Sequence, residues 1–147
     1  MMDDKILPHD YDAEEGLLTA AFCPNALDKI KGLVSADDFY SGSGKLIFGK
    51  MMEFHESGRG FTISMIDQAL EGHSQYVNIR RVLDMLIPIT AETATYFAKI
   101  VRELADRRRA IKASYEVLDG LFDISQPIDQ TRGFLRVHVP GLLAEVS

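Results

Sequence analysis

From Ala91 to Asp119 the chain carries neither proline nor glycine, and Gly120 is the first interruption. Proline costs a helix interior about 3 kcal/mol and glycine about 1, so a run this long without either permits an unbroken α-helix. Within it Phe97, Leu104, Ile111 and Leu118 fall seven apart, and Val101, Tyr115 and Phe122 add a flanking row. The spacing predicts a helix from Ala91 to about Phe122, roughly 45 Å long at ~1.5 Å per residue. That exceeds the small head which the preceding segments can build, so its apolar stripe calls for a further surface. Sustained heptad spacing points to a partner helix, either a hairpin mate or another chain. The alternative is the central core helix of a bundle.

The rest of the chain reads as helices separated by short breaks, with almost no alternating pattern. In "HDYDAEEGLLTAAFCP", Asp12 with Glu15 has capping-box spacing, Leu17, Leu18, Ala21 and Phe22 supply an apolar face, and Pro24 ends the helix. Asn25 caps a second helix carrying Leu27, Ile30, Leu33 and Val34, and Ser35 caps a short turn closed by Phe39 and Tyr40. A helix from about Lys45 to Glu56 presents Ile47, Phe48, Met51, Phe54 and His55, and ends at Gly58. Thr62 starts another, with Ile63, Ile66 and Leu70 inward and Gly72 as its stop. "SQYVNIRRVLDMLIP" makes the next, with Pro88 beyond its end. After Phe122 a helix from Ile128 to about Val137 is expected, while helix, loop and strand all remain open for "FLRVHV", and Pro140 argues against one long second helix. The expected fold is all-α, with a globular helical head over residues 1–90 and a long association helix over 91–124. An irregular segment or short second hairpin helix over 125–147 completes it.

"SGSGK" at Ser41–Lys45 looks at first like a phosphate-cradling loop. That pattern needs a glycine five positions before Gly44, where Phe39 stands, and a hydroxyl after Lys45, where Leu46 stands. No β-branched strand leads into it. The reading is a flexible turn from Ser41 to Gly44 and a helix start. Other chemistry is equally thin. The histidines at 9, 55, 73 and 138 have no metal-ligand spacing, and the single cysteine, Cys23, allows no internal disulfide and fits a reducing cytoplasm. Met51 and Met52 read as gap-filling core, His55 as a core or boundary histidine, and His9 as a brace for the first helix. Glu14-Glu15 and Asp37-Asp38 sit at helix starts, where acids complement the macrodipole. No serine or cysteine lies in a nucleophile elbow. No apolar run approaches the ~20 residues that span a bilayer, and the acidic start is unlike an export signal. A net charge of −6 weighs against broad phosphate-backbone binding. Arg102, Arg107, Arg108 and Arg109 are candidate DNA contacts, although a helix turns successive side chains about 100° apart. With Glu103 and Asp106 beside them, they also fit a solvated, ion-paired face.

Four stretches in order carry a resemblance. Leu7, Pro8, His9, Ala13 and Glu14 fit a Leu-Pro-His-x-x-x-Ala-Glu opening, and Ser35 through Tyr40 a Ser-Pro-Glu-Asp-Phe-Tyr turn. Lys45 through Phe48 fit Arg-Leu-Ile-Phe, and Phe97 through Arg109 a Tyr-Ala-x-Ile-Val-Arg-Glu helix ending in Arg-Arg. Together, over about residues 7–122, they resemble the N-terminal domain of bacterial replicative DNA helicases, the DnaB family. The chain departs from that pattern between Leu70 and Leu83, where it is shorter. It departs again in "DQTRGFLRVHVPG", whose glycine, proline and two arginines replace an acidic amphipathic helix. The resemblance implies a domain without catalysis or cofactor, the ATPase motor being a separate domain. It implies pairing into dimers that build a collar on the helicase hexamer, docking of primase or a helicase loader, and DNA contact only weakly or through the full assembly. It also implies no membrane and a cytoplasmic place. The residues expected to form the association seam are Phe97, Ile100, Val101, Leu104, Ile111, Tyr115 and Leu118. The alternative is a stand-alone, phage-derived protein that binds DNA or regulates a helicase.

Overall fold

The computed structural model describes residues 6–86 and 90–138. The expectations that rested on Pro88, Pro140 and the first residues lie outside them, as does the side chain of His138. Among the described residues the fold is all-α: α1 (Tyr11–Ala21), α2 (Ala26–Ile30), a 3-10 turn (Ala36–Asp38), α3 (Gly42–Glu56), α4 (Ile63–Leu70), α5 (Tyr76–Met85), α6 (Glu92–Phe122) and α7 (Ile128–His138). No described helix is long and apolar enough to cross a membrane. The described residues divide into two compact units, one covering Pro8–Asp106 and the other residues 107–138 together with Ile6 and Leu7. The division falls inside α6.

In the first unit α3 is the hub, touching α1, the 3-10 turn, α4 and α5. Its inner face, Ile47, Phe48 and Met51, is fully buried, at helical spacing of i, i+1 and i+4. Leu17 and Leu18 of α1, Ile30 of α2, Ile66 of α4 and Ile79 of α5 close around it. Each such side chain stabilises the unit by about 1.5–3 kcal/mol through apolar burial. Phe39 packs its ring 5.1 Å from that of Phe48. Polar contacts tie α4 to α5. Tyr76 and Arg80 of α5 both donate to the carboxylate of Asp67 on α4, and Arg80 also pairs with Asp84.

Several local expectations need correction. The first helix is capped by Asp10, not Asp12: Asp10 is extended (φ −146°, ψ 98°) and its Oδ1 accepts the N–H of Ala13 at 3.0 Å, which leaves Asp12 inside the first turn. Asn25 stands at the cap of α2 without a side-chain bond, since it takes a left-handed backbone (φ 66°) that turns the chain out of α1. Ser41 to Gly44 is not a flexible turn. Ser41 is extended and caps α3, its Oγ accepting the Gly44 N–H at 2.9 Å, so the glycines form the helix's first turn. Ile63 does not face inward but is 41% exposed, because it is the first residue of α4, while Ile66 and Leu70 carry the buried face. The segment left open at "FLRVHV" is helical through His138.

α6 is one helix of 31 residues. Ala94, Ala98 and Val101 join the core of the first unit, with Phe97 and Ile100 packed at its margin. Small side chains let α6 approach closely. Across from it Gly16 of α1 offers no Cβ, and one placed there would lie 2.6 Å from the Phe97 ring. In the second unit a short turn over Asp123–Ser125, in which Asp123 Oδ1 accepts the Ser125 N–H at 3.1 Å, leads into α7. Thr131 and Leu135 are the buried residues of α7, and a Cβ on Gly120 would meet Thr131 Oγ1 at 2.8 Å.

Candidate interaction surface

The start of α3 is the most elaborately built polar feature of the first unit. Glu14, only 4% exposed, reaches across from α1 with both carboxylate oxygens: Oε2 accepts the N–H of Tyr40 at 2.9 Å and Oε1 that of Ser41 at 3.1 Å. A carboxylate therefore already occupies the positive end of α3, where a phosphate loop would hold its anion. Gly44 is required by packing, since a Cβ there would lie 2.6 Å from the Phe39 ring. The residues of "SGSGK" thus serve a capped helix start in which Ser43 and Gly44 are buried. Asp38, also buried, accepts the Ser35 N–H at 2.8 Å and stands 3.6 Å from the Arg102 guanidinium of α6. Above them His9 stacks on Tyr40 at 4.2 Å, with Tyr11 tilted against both, so His9 braces the entry to α1 through its ring.

The seam residues separate by position on α6. Phe97, Ile100, Val101 and Leu104 lie in the first unit, with Val101 buried and the others half-buried. Ile111, Tyr115 and Leu118 lie in the second, the first two half-buried and Leu118 exposed at 47%. The arginines point in different directions: Arg102 pairs with Asp38 and Asp106, Arg107 and Arg109 are exposed, and Arg108 is 7% exposed. Beyond Leu118 the exposed apolar surface continues through Leu121, Phe122 at 80% and Ile124 at 97%, then Ile128 and Val137 of α7. The seven-residue spacing had pointed to Leu118 and Phe122 but not to Leu121, nor to Ile124, Ile128 and Val137, which lie beyond the helix's end. Among the described residues no group of three or more His, Cys, Asp or Glu is placed to hold a metal ion.

Residues 6–103, which hold Glu14, the capped turn at Ser35, α3 and the packed part of α6, match the family described as the DnaB-like helicase N terminal domain. The chain belongs to that family. This DnaB-type domain is 31% identical over 123 residues to the replicative DNA helicase DnaB of Buchnera aphidicola subsp. Baizongia pistaciae (strain Bp), covering 80% of this chain and 26% of that protein. It is 27% identical over 119 residues to the replicative DNA helicase DnaC of Bacillus subtilis (strain 168), covering 78% of this chain and 26% of that one. The chain thus spans about a quarter of the length of these curated relatives. The crystal structure of the N-terminal domain of DnaB helicase from Mycobacterium tuberculosis superposes with a TM-score of 0.74 at 18% identity, covering 91% of this chain and all of that one. At that identity the likeness concerns the fold, and it is the same all-α fold.

Proposed function

We propose that this DnaB-type domain is a non-catalytic association and docking module of a replicative helicase, acting in DNA replication. It pairs with a second copy through the α6–α7 region and receives primase or a helicase loader. The observation that carries the reading is the exposed apolar run from Leu118 through Phe122 and Ile124 to Ile128. Apolar surface of this kind, contiguous in sequence around a helix end, is stabilised by covering it, at about 25 cal/mol per Å². The family membership supports the setting in replication.

Sedimentation across a wide concentration range tests it. A concentration-dependent dimer is expected, and Leu118→Asp, an exposed position, should weaken it by about tenfold or more without loss of helicity. Addition of a primase C-terminal domain should give a heavier species. A chain that stays monomeric at every concentration, or a Leu118→Asp variant that dimerises as well as the parent, overturns the seam.

A further inference from the structure

Lys45, set aside as a phosphate ligand, has a different setting. It is exposed near the start of α3 and makes no ion pair among the described residues. It stands at the rim of a groove of about 460 Å³ between α3 and the end of α4, within the size range of ligand sites. The floor is apolar, made by Leu46 and Leu70. Gly72 adds no side chain to the groove, and a Cβ there would stand in open space with nothing within 4 Å. The one carboxylate that lines it, Glu53, is matched by Lys50 at 2.6 Å. On the far rim His73 accepts the Gln75 N–H through Nδ1 at 3.1 Å, so in the neutral ring Nε2 carries the hydrogen and donates. A cation and a donor thus flank an apolar slot, in a chain whose net charge is −6.

We propose that the α3–α4 groove docks an acidic amphipathic helix of a partner protein. An aliphatic side chain enters between Leu46 and Leu70, and carboxylates one turn away meet Lys45 and His73, the pattern of a helix laid in a groove. Charge complementarity selects this occupant. Nucleic acid is disfavoured because no Phe, Tyr or Trp lines the groove for base stacking and only one lysine is uncompensated. The proposal rests on the partner-docking part of the function above and adds the surface and the chemistry recognised. It is independent of the α6–α7 seam.

The experiment titrates the isotopically labelled chain with a synthetic amphipathic helix of leucine and glutamate, then with its leucine–lysine counterpart and a single-stranded oligonucleotide. The acidic helix should shift amide resonances of Lys45–Glu53 and Ala69–His73, and Lys45→Glu should weaken it by about tenfold through like-charge repulsion. Gly72→Leu, at an open position, should abolish the shifts while leaving the spectrum of the rest of the head in place. Absence of shifts at the groove, equal response to the basic helix, or shifts there from the oligonucleotide would each overturn the proposal. Sedimentation of the same Lys45→Glu protein should be unchanged, which separates failure of this site from failure of self-association.

Discussion

Glu14 shows how one buried charge can organise a junction. Its carboxylate accepts two backbone N–H groups that precede α3, and charge-assisted bonds of this type contribute about 1.5–3 kcal/mol each. Glu14→Gln keeps one acceptor but turns an amide NH₂ toward a donor, so a loss of about 1–3 kcal/mol is expected in chemical denaturation. An unchanged midpoint would show that water replaces the carboxylate. Gly16 gives a second prediction at this scale. Gly16→Val must displace the Phe97 ring and should cost about 1–3 kcal/mol, as overpacking does. Pairing it with Phe97→Leu should recover part of that loss, a non-additivity that a double-mutant cycle reads directly. Tyr76 supplies the pH dependence. The hydrogen bond it donates to Asp67, with burial and the Asp67 charge adding, holds its phenol above the ordinary value near 10. A group raised in the folded state contributes stability that is complete below the unfolded value and disappears as pH rises through the folded one. Thermal melts should therefore fall more steeply above pH ~10 for the parent than for Tyr76→Phe. Parallel curves would refute the link.

Among the elements α6 is the informative one. Its length was legible because a run without proline or glycine leaves the helix no place to stop, and the capping residues at Ser35 and Thr62 were legible for a similarly local reason. What α6 packs against was not. Ala94, Ala98 and Val101 are buried by the head, whereas Leu118 on the same heptad row as Phe97 is exposed. The spacing treats these positions alike, because periodicity specifies a face and not its neighbour. Hydrogen exchange should divide the helix accordingly, with amides of Ala94–Ala105 protected together with the core of α3. Those from Arg107 to Phe122 should open at lower free energy in the dilute chain and gain protection on self-association. Uniform protection along all of α6 at low concentration would contradict the two-unit division.

For the whole molecule, charge sets the expectation toward nucleic acid. With a net charge of −6, and with Arg102 engaged by Asp38 and Asp106, only weak electrostatic attraction to phosphates is expected. Mobility-shift assays should show no retardation of single or double strands at about 0.15 M salt. A retardation that weakens steeply with added salt would instead favour a DNA-binding regulator.

Helical class, the extent of α6 and the absence of a phosphate loop at Ser41–Lys45 were all determined by the sequence alone, since each depends on neighbours along the chain. Tertiary structure decided the rest. It turned Glu14 from a helix-start acid into the anchor of α3, made Gly16 and Gly44 obligatory by bringing a phenylalanine ring against each, and opened the groove beside Lys45. Those outcomes depend on which distant side chains share a volume, and close packing settles that only when the helices have met.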